Sequence, residues 1–306
     1  WVERLYPSRA FGAPGLLAGG VGGLSLWQAG RWRRLPTPGV KTGEVQAILE
    51  IPRPGKSPDL WVGTSSHGLL IESGGRWRRC GKADGFPGDD IYALHATGEA
   101  GGGSLWVGFR GLGLGRLHQG RWTFYGVKDG LPGPSVYAMA DSAVPTGVRL
   151  WVATPGGGLG WLDVDRPGAV WHRLGRLTVP PLPADALMAL AKDGRGRIYV
   201  TSTQGVVRIT LPPGQEDRPS DWRIETFTRG DGLPSNDCIS GAILADGEGR
   251  IWVGTARGLA VFDPRRELPP EPLPHLILEQ VEVDGRSRRP GAGIGLGYRE
   301  RHLHLA

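Results

Sequence analysis

The chain is poor in the residues that usually announce chemistry. Its 306 residues include two cysteines, Cys80 and Cys238, and seven histidines. No C-x-x-C pair and no H-E-x-x-H stretch occurs, so the residues predict neither a metal site nor any other cofactor. A G-x-S-x-G elbow is missing too, which removes one common setting for a serine nucleophile. Two cysteines cannot build a disulfide framework, and these two fall at different points of the pattern described below, so no pairing is expected. Their scarcity is compatible with an oxidising compartment without deciding it. No apolar run approaches the roughly 20 residues of a membrane helix, and no signal-like segment opens the chain. Sustained helical periodicity with caps is lacking, so strands are predicted throughout. Net charge is +6, from 36 basic and 30 acidic residues. The arginines lie in scattered pieces such as RWRRL (31–35) and RWRRC (76–80) rather than on one basic face, and no nucleic-acid partner is expected.

What the chain has in quantity is glycine (52), proline (26) and tryptophan (12). Without order, that much Gly and Pro would indicate disorder. Here it is periodic. A Trp-type strand recurs as LLAGG (16–20), LWVGT (60–64), LWVGF (105–109), LWVAT (150–154), IYVTS (198–202) and IWVGT (251–255). The second residues of these copies are 44, 45, 45, 48 and 53 positions apart, and Gly-Arg-Trp recurs at 30–32, 75–77 and 120–122. Strand-rich repeats of this length are the signature of propeller blades.

Each repeat parses into four strands. An apolar inner strand comes first, as in VQAILEI (45–51) or IYALHA (91–96), and the Trp strand is second. A third opens on Gly-Leu or Gly-Val, and the Arg-Trp segment is the outermost. Turns such as D-G-F-P (84–87) and D-G-L-P (129–132, 231–234) lead to the next copy. Each second-strand Trp is predicted in the core between blades, and the outer Arg-Trp strands are predicted to face solvent. The expected fold is all-β: a β-propeller over residues 1–267 with six visible blades, part of a seven-bladed ring because both ends are ragged. Beginning at Trp1 and stopping at Ala306 inside a strand-like pattern, the chain reads as a piece of something longer.

Residues 231–263 resemble the two-component regulator propeller repeat, D-G-L-P-S-N, apolar strand, D-x-x-G-x-[IL]-W-[VI]-G-T, then G-L. The match runs through Asp231, Gly232, Leu233, Pro234, Ser235, Asn236, Asp246, Gly249, Ile251, Trp252, Val253, Gly254, Thr255, Gly258 and Leu259. Earlier copies match in part, so the resemblance covers about residues 16–263. After a Pro-rich linker, residues 273–306 look like the opening of the β-sandwich that follows these propellers in the family, the Y-Y-Y domain. The second domain is therefore expected at 268–306, as an incomplete Ig-like sandwich. The resemblance implies the extracytoplasmic sensor region of an inner-membrane receptor, in the periplasm, tethered to the membrane in the full-length protein. It implies a homodimer through the sandwich, a small-molecule or oligosaccharide ligand, and a histidine kinase or diguanylate cyclase output outside this chain. No catalytic activity is expected of the chain itself. A propeller lyase or hydrolase and a protein-interaction scaffold stay open as alternatives.

Other motifs carry less. The Gly-rich stretches 111–120 and 291–297 lack the strand–turn–helix setting of a phosphate cradle. His302 and His304 share a strand face without a third ligand, and Asp193 and Asp246 read as turn residues rather than calcium ligands. Within the propeller, the residues just before the Gly-Leu turns vary from copy to copy. The candidate ligand-binding residues are His67, Arg110, Gln204 and Arg257, on loops expected to share one face with the D-G-L-P turns. Their positive charge would suit an acidic saccharide. The competing reading is that they are ordinary solvated loop tips.

Overall fold

The computed structural model describes residues 2–37, 44–98, 103–164, 166–267, 281–283, 286–288 and 303–305. Apolar runs broken by glycine turns form strands that pair antiparallel in chain order. Five four-stranded sheets and one three-stranded sheet follow one another. Their inner strands are Val2–Ser8, Val45–Arg53, Ile91–Thr97, Ala138–Val144, Leu187–Lys192 and Cys238–Ala245. Successive inner strands touch, so the sheets are the blades of a six-blade propeller. Helical geometry among the described residues is limited to five three-residue 3-10 turns. A seventh blade is not among the described residues, and the sixth has three strands there, ending at Gly258–Phe262.

The core lies between the blades. Trp61, Trp106, Trp151 and Tyr199, at one register on four second strands, are all buried against the blade that follows. An aromatic ring of this size removes roughly 150–250 Å² from water, on the order of 4–6 kcal/mol of gross transfer free energy. The outer strands differ from expectation. Trp77 and Trp122 pack onto the core shared with the preceding blade instead of facing water. Phe86 and Trp122 meet edge to face, their centroids 5.0 Å apart. Arg76 and Arg78 stay in solvent while Trp77 between them turns inward, as strand alternation allows.

The repeated landmarks have local causes. Asp84, Asp129 and Asp231 accept from the amides of Gly81, Gly126 and Thr228 at 2.9, 2.8 and 2.8 Å, closing a 3-10 turn. The next residue, Gly85, Gly130 or Gly232, takes φ of 76, 94 or 100°. Phe86, Leu131 or Leu233 then plugs the core below. Gly113 and Gly158, at φ 81 and 85°, are confined from outside as well. A Cβ would come within 2.2 Å of the Tyr125 and Leu174 carbonyl oxygens, so only glycine fits.

Asp246 accepts from the Glu248 and Arg250 amides, Arg250 Nε and Trp252 Nε1 at 3.0, 2.9, 2.7 and 2.8 Å. Asp193 does the same for the Arg195 and Arg197 amides, Arg197 Nε and Tyr199 Oη. Both carboxylates are committed to their turns, as the sequence suggested. The Trp252 hydrogen bond, then Arg250, holds Asp246 well below the usual carboxylate range.

Among the described residues, two faces lack a neighbouring blade. On blade six, Leu244, Leu259 and Val261 stand where other blades cover the next one, and Trp252 is only half-buried. On blade one, Leu5, Trp27 and Trp32 are exposed on the opposite face. A second compact unit spans Arg265–Ala306. Its described strands, Val281–Val283, Arg286–Arg288 and Leu303–Leu305, form an antiparallel sheet with the first at its centre. The rest of the expected sandwich, His302 and the Gly-rich stretch 291–297 lie outside the described residues. No helix among the described residues is long and apolar enough to cross a membrane.

Candidate functional site at the channel mouth

Loops from two parts of each blade meet at one end of the propeller. The turn glycines Gly68, Gly113 and Gly158 donate to the Asp89, Pro134 and Asp185 carbonyls at 2.9, 2.7 and 2.9 Å, and Ala256 donates to Asp237 at 2.8 Å. The acceptors lie just before the next inner strand. Loops between second and third strands therefore share a face with the segments that follow the D-G-x-P turns.

All four sequence-selected residues lie on these loops. The backbone amides of His67, Gln204 and Arg257 donate to Thr64 Oγ1, Ser202 Oγ and Thr255 Oγ1 at 3.2, 3.0 and 3.4 Å. The same hydroxyls donate to the Gly68, Gly205 and Gly258 carbonyls. His67 Nδ1 is also 3.2 Å from Ser66 Oγ. Gln204 and Arg257 are exposed and His67 is half-exposed. Arg110 differs. Its guanidinium lies 4.0 Å from Asp90 Oδ2 and 6.0 Å from the centre of the Tyr92 ring. Among the described residues, no hydrogen bond or ion pair joins any two of the four.

Arg110 leads to a group of residues that sequence reasoning passed over. Where the inner strand begins, its register against the second strand slips between Val45 and Ala47, opposite Phe109 and Gly108 at Ile91 and Ala93, and between Leu187 and Ala189. These are β-bulges, which re-aim one side chain. Val45 occupies the space a Gly19 Cβ would need, and Ala47 lies beside Gly63 together with Ile91 of the next blade. The flanking residues thus serve the two inter-blade faces, and the residue between them is left to the channel. Gln46, Tyr92 and Met188 stand at that position, and Tyr137 is its counterpart in blade four. Tyr92 and Tyr137 stack across two blades, centroids 4.8 Å apart and planes 7° from parallel.

Polar groups close in around this pair. Gln46 Nε2 donates to Glu44 Oε2 at 2.8 Å. Burial, with Glu44 nearby, raises the Asp90 carboxyl above its ordinary range against the opposing pull of Arg110. Asp90 Oδ1 is inaccessible and has no donor among the described residues. Burial likewise raises the Tyr92 phenol, opposed by Arg110 and reinforced by Tyr137, Asp90 and Glu44. A signal for these residues exists in the sequence: V-Q-A, I-Y-A, V-Y-A and L-M-A each hold a variable residue between an apolar residue and alanine.

The far end of the inner strands carries a different set. Asp141 accepts from His95 Nε2 at 2.9 Å and lies 3.4 Å from Lys192 Nζ, linking blades three, four and five. The His95 hydrogen bond, aided by Lys192, holds Asp141 below the usual carboxylate range. Glu50 ties blade one to blade two, accepting from Ser8 Oγ and from the amides of Arg9 and Ala10. These contacts are used up within the protein and fasten blade to blade.

Serial antiparallel blades with their loops gathered round one channel mouth define a repeat-built β-propeller. The chain carries the two component regulator propeller repeat: the family model of that description matches residues 232–257. No curated relative matches. Among solved structures, the extracellular domain of the putative hybrid two component system BT3049 from B. thetaiotaomicron is similar at 17% identity and a TM-score of 0.67. That likeness covers 99% of this chain and 38% of the other. PorZ, a bacterial surface component of the type-IX secretion system of Porphyromonas gingivalis, is similar at 17% identity and a TM-score of 0.59, over 85% of this chain and 38% of that one. A streptogramin B lyase is similar at 12% identity and a TM-score of 0.57, over 85% of this chain and 78% of that one. At these identities the likeness is one of fold.

Proposed function

We propose that the chain is the ligand-sensing extracytoplasmic region of a bacterial signal-transduction receptor, and that the receptor answers to a carbohydrate or related small molecule. The observation that carries this reading is the regulator-propeller repeat at 232–257. In blade six each of its polar landmarks has a structural task, from the Asp231 turn to the Asp246–Trp252 hydrogen bond. The similarity to an extracellular two-component domain along nearly the whole chain supports it. In this reading the protein is held at the inner membrane, facing the periplasm, and pairs as a homodimer through a sandwich domain built on residues 268–306. A seventh blade of the same repeat covers the open apolar faces of blades one and six. His67, Arg110, Gln204 and Arg257 contribute to the ligand site from the loop face, and catalysis belongs to a histidine kinase or diguanylate cyclase elsewhere in the receptor. The lyase alternative is supported by fold alone.

Two measurements test this. The reading frame beyond Ala306 should encode a membrane span followed by a kinase or cyclase module; a stop codon soon after the sandwich, with no span, overturns the receptor reading. Thermal-shift screening of the chain against neutral and acidic oligosaccharides should yield a stabilising ligand that is recovered unchanged. Recovery of cleaved product would establish an enzyme instead.

A further inference from the structure

We infer that the cleft between the outer parts of blades one and two binds a free amino acid as its zwitterion, with Glu72 taking the ammonium group and Arg33 the carboxylate. The cleft is separate from the channel mouth, and the inference does not rest on the carbohydrate reading.

It starts from a break in the repeat. The first residue of each Trp-type strand pairs with one residue of the third strand. In blade order these partners are Trp27, Glu72, Leu117, Leu162, Ile209 and Phe262. Five are large and apolar. Glu72 is the exception, and it is only 4% exposed. A buried carboxylate is costly unless a cation or several donors meet it. Glu72 Oε1 accepts from the Gly75 amide at 2.6 Å, and no ion pair reaches the side chain among the described residues. Oε2 has no donor there and is not sealed from solvent. The hairpin itself does not require this carboxylate. Blade three closes the equivalent turn at Gln119 and Gly120, with φ of 47 and 76° against 58 and 86° at Gly74 and Gly75, and has Leu117 in the place of Glu72.

The carboxylate opens on a cleft of about 400 Å³, a size common among small-molecule sites. Phe11 of blade one and Trp77 of blade two stand in its wall, both half-buried. Trp77 lies directly across the strand pair from Glu72. An ammonium group at this place gains a charge-assisted hydrogen bond and an aromatic neighbour that attracts cations.

The other charge in the cleft decides the ligand class. Arg33 is exposed, lines the same cleft and lies 5.3 Å from the centre of the Phe11 ring, with no ion pair among the described residues. Arg53 is already held by Asp59 Oδ1 and Ser73 Oγ at 2.9 and 2.6 Å. A simple amine is drawn to Glu72 and repelled by Arg33, and a simple carboxylate meets the reverse. A molecule with both charges satisfies both residues, and its side chain has Phe11, Leu35 and Trp77 to rest on.

The test is calorimetry on the full chain with L-phenylalanine, phenethylamine and 3-phenylpropionate, the last two each lacking one charge. L-phenylalanine should bind at least about tenfold more tightly than either. Glu72→Gln should weaken it about tenfold or more, and Arg33→Gln about threefold or more, since an exposed contact contributes less. Glu72→Leu gives blade two the residue type of blade three, and should abolish binding without lowering the melting temperature. Circular dichroism establishes that each variant is folded; Glu72→Gln conserves volume and decides the matter where Glu72→Leu does not fold. Absence of L-phenylalanine binding, binding unchanged in Glu72→Gln, or equal binding of 3-phenylpropionate overturns the site. Equal binding of phenethylamine overturns the role of Arg33 and with it the zwitterion.

Discussion

Arg149 offers the sharpest test of how the blades hold together. It is 1% exposed, at the start of a Trp strand. Its Nε and Nη2 grip Asp163 Oδ1 and Oδ2 at 2.6 and 3.1 Å, Nη2 also reaches Asp217 Oδ1 at 2.6 Å, and Nη1 donates to the Glu216 carbonyl at 2.6 Å. The guanidinium carbon lies 5.8, 6.0 and 5.8 Å from the centres of Trp151, Trp161 and Trp222. One side chain thus binds two strands of blade four to a loop of blade five and completes an aromatic box.

Truncation in Arg149→Ala leaves Asp163 as a buried carboxylate without its main partner. Breaking one side of a buried pair costs about 3–5 kcal/mol. Asp217 is 56% exposed, so its lost contact adds only about 0–1 kcal/mol. The expected loss is therefore about 3–5 kcal/mol, read from guanidinium chloride unfolding followed by tryptophan fluorescence. The double change Arg149→Met with Asp163→Leu removes both charges and should restore most of the loss, because a desolvated ion pair and an apolar pair of similar volume differ little. Arg149→Lys keeps the charge but not the planar fork, and should fall between. If Arg149→Ala costs less than about 1 kcal/mol, the value typical of a surface pair, the buried-latch argument is wrong.

Three further outcomes follow from the same geometry. Gly113→Ala forces a Cβ into the Tyr125 carbonyl at positive φ and should destabilise by at least about 1–3 kcal/mol in the same unfolding assay, whereas Gly120→Ala, with open space around it, should incur only the backbone strain. Tyr199, raised by burial to about 12 with Asp193 adding to the shift, should ionise last in an ultraviolet titration. Its neutral form is the one favoured by folding, so this contribution is complete below pH ~10, the unfolded value, and is lost as pH rises through the folded one. Cys80 and Cys238 are buried free thiols whose ionisation burial pushes upward; they should resist Ellman's reagent in the native state and react once the chain unfolds.

Much of the scaffold was legible because each of its landmarks solves a local problem. The D-G-L-P turn needs a capping carboxylate, a left-handed glycine and a plug, and all three are visible as residue types. Gly-Leu turns and the W-V-G-T strand are legible for the same reason. Arg149 was not. Its partners Asp163 and Asp217 lie 14 and 68 positions away, and nothing local to Arg149 marks it as buried. Trp77 and Trp122 were misplaced because the charged residues flanking them looked like a solvated strand, while alternation sent only the arginines outward.

The channel mouth escaped for a more general reason. Strand reading assigns side chains to two faces in strict alternation, and on that rule Tyr92 belongs to an inter-blade core. A bulge adds a third direction, and it does so at the same register in several blades. Once the bulge is known, V-Q-A, I-Y-A, V-Y-A and L-M-A become readable: the outer two positions are constrained by packing against neighbouring blades, and the middle one is not. A propeller repeats whatever every interface requires. The positions at which its copies are free to differ, and which nonetheless converge in space, are those through which one blade can be given a task that the next does not share. The loop tips beside the Gly-Leu turns also differ between copies, but among the described residues Gln204 and Arg257 are fastened only through their own backbone, and His67 adds only its neighbour Ser66. Gln46, Tyr92, Tyr137 and Met188 differ and share one register round the channel, and that convergence is what separates a candidate site from ordinary variation.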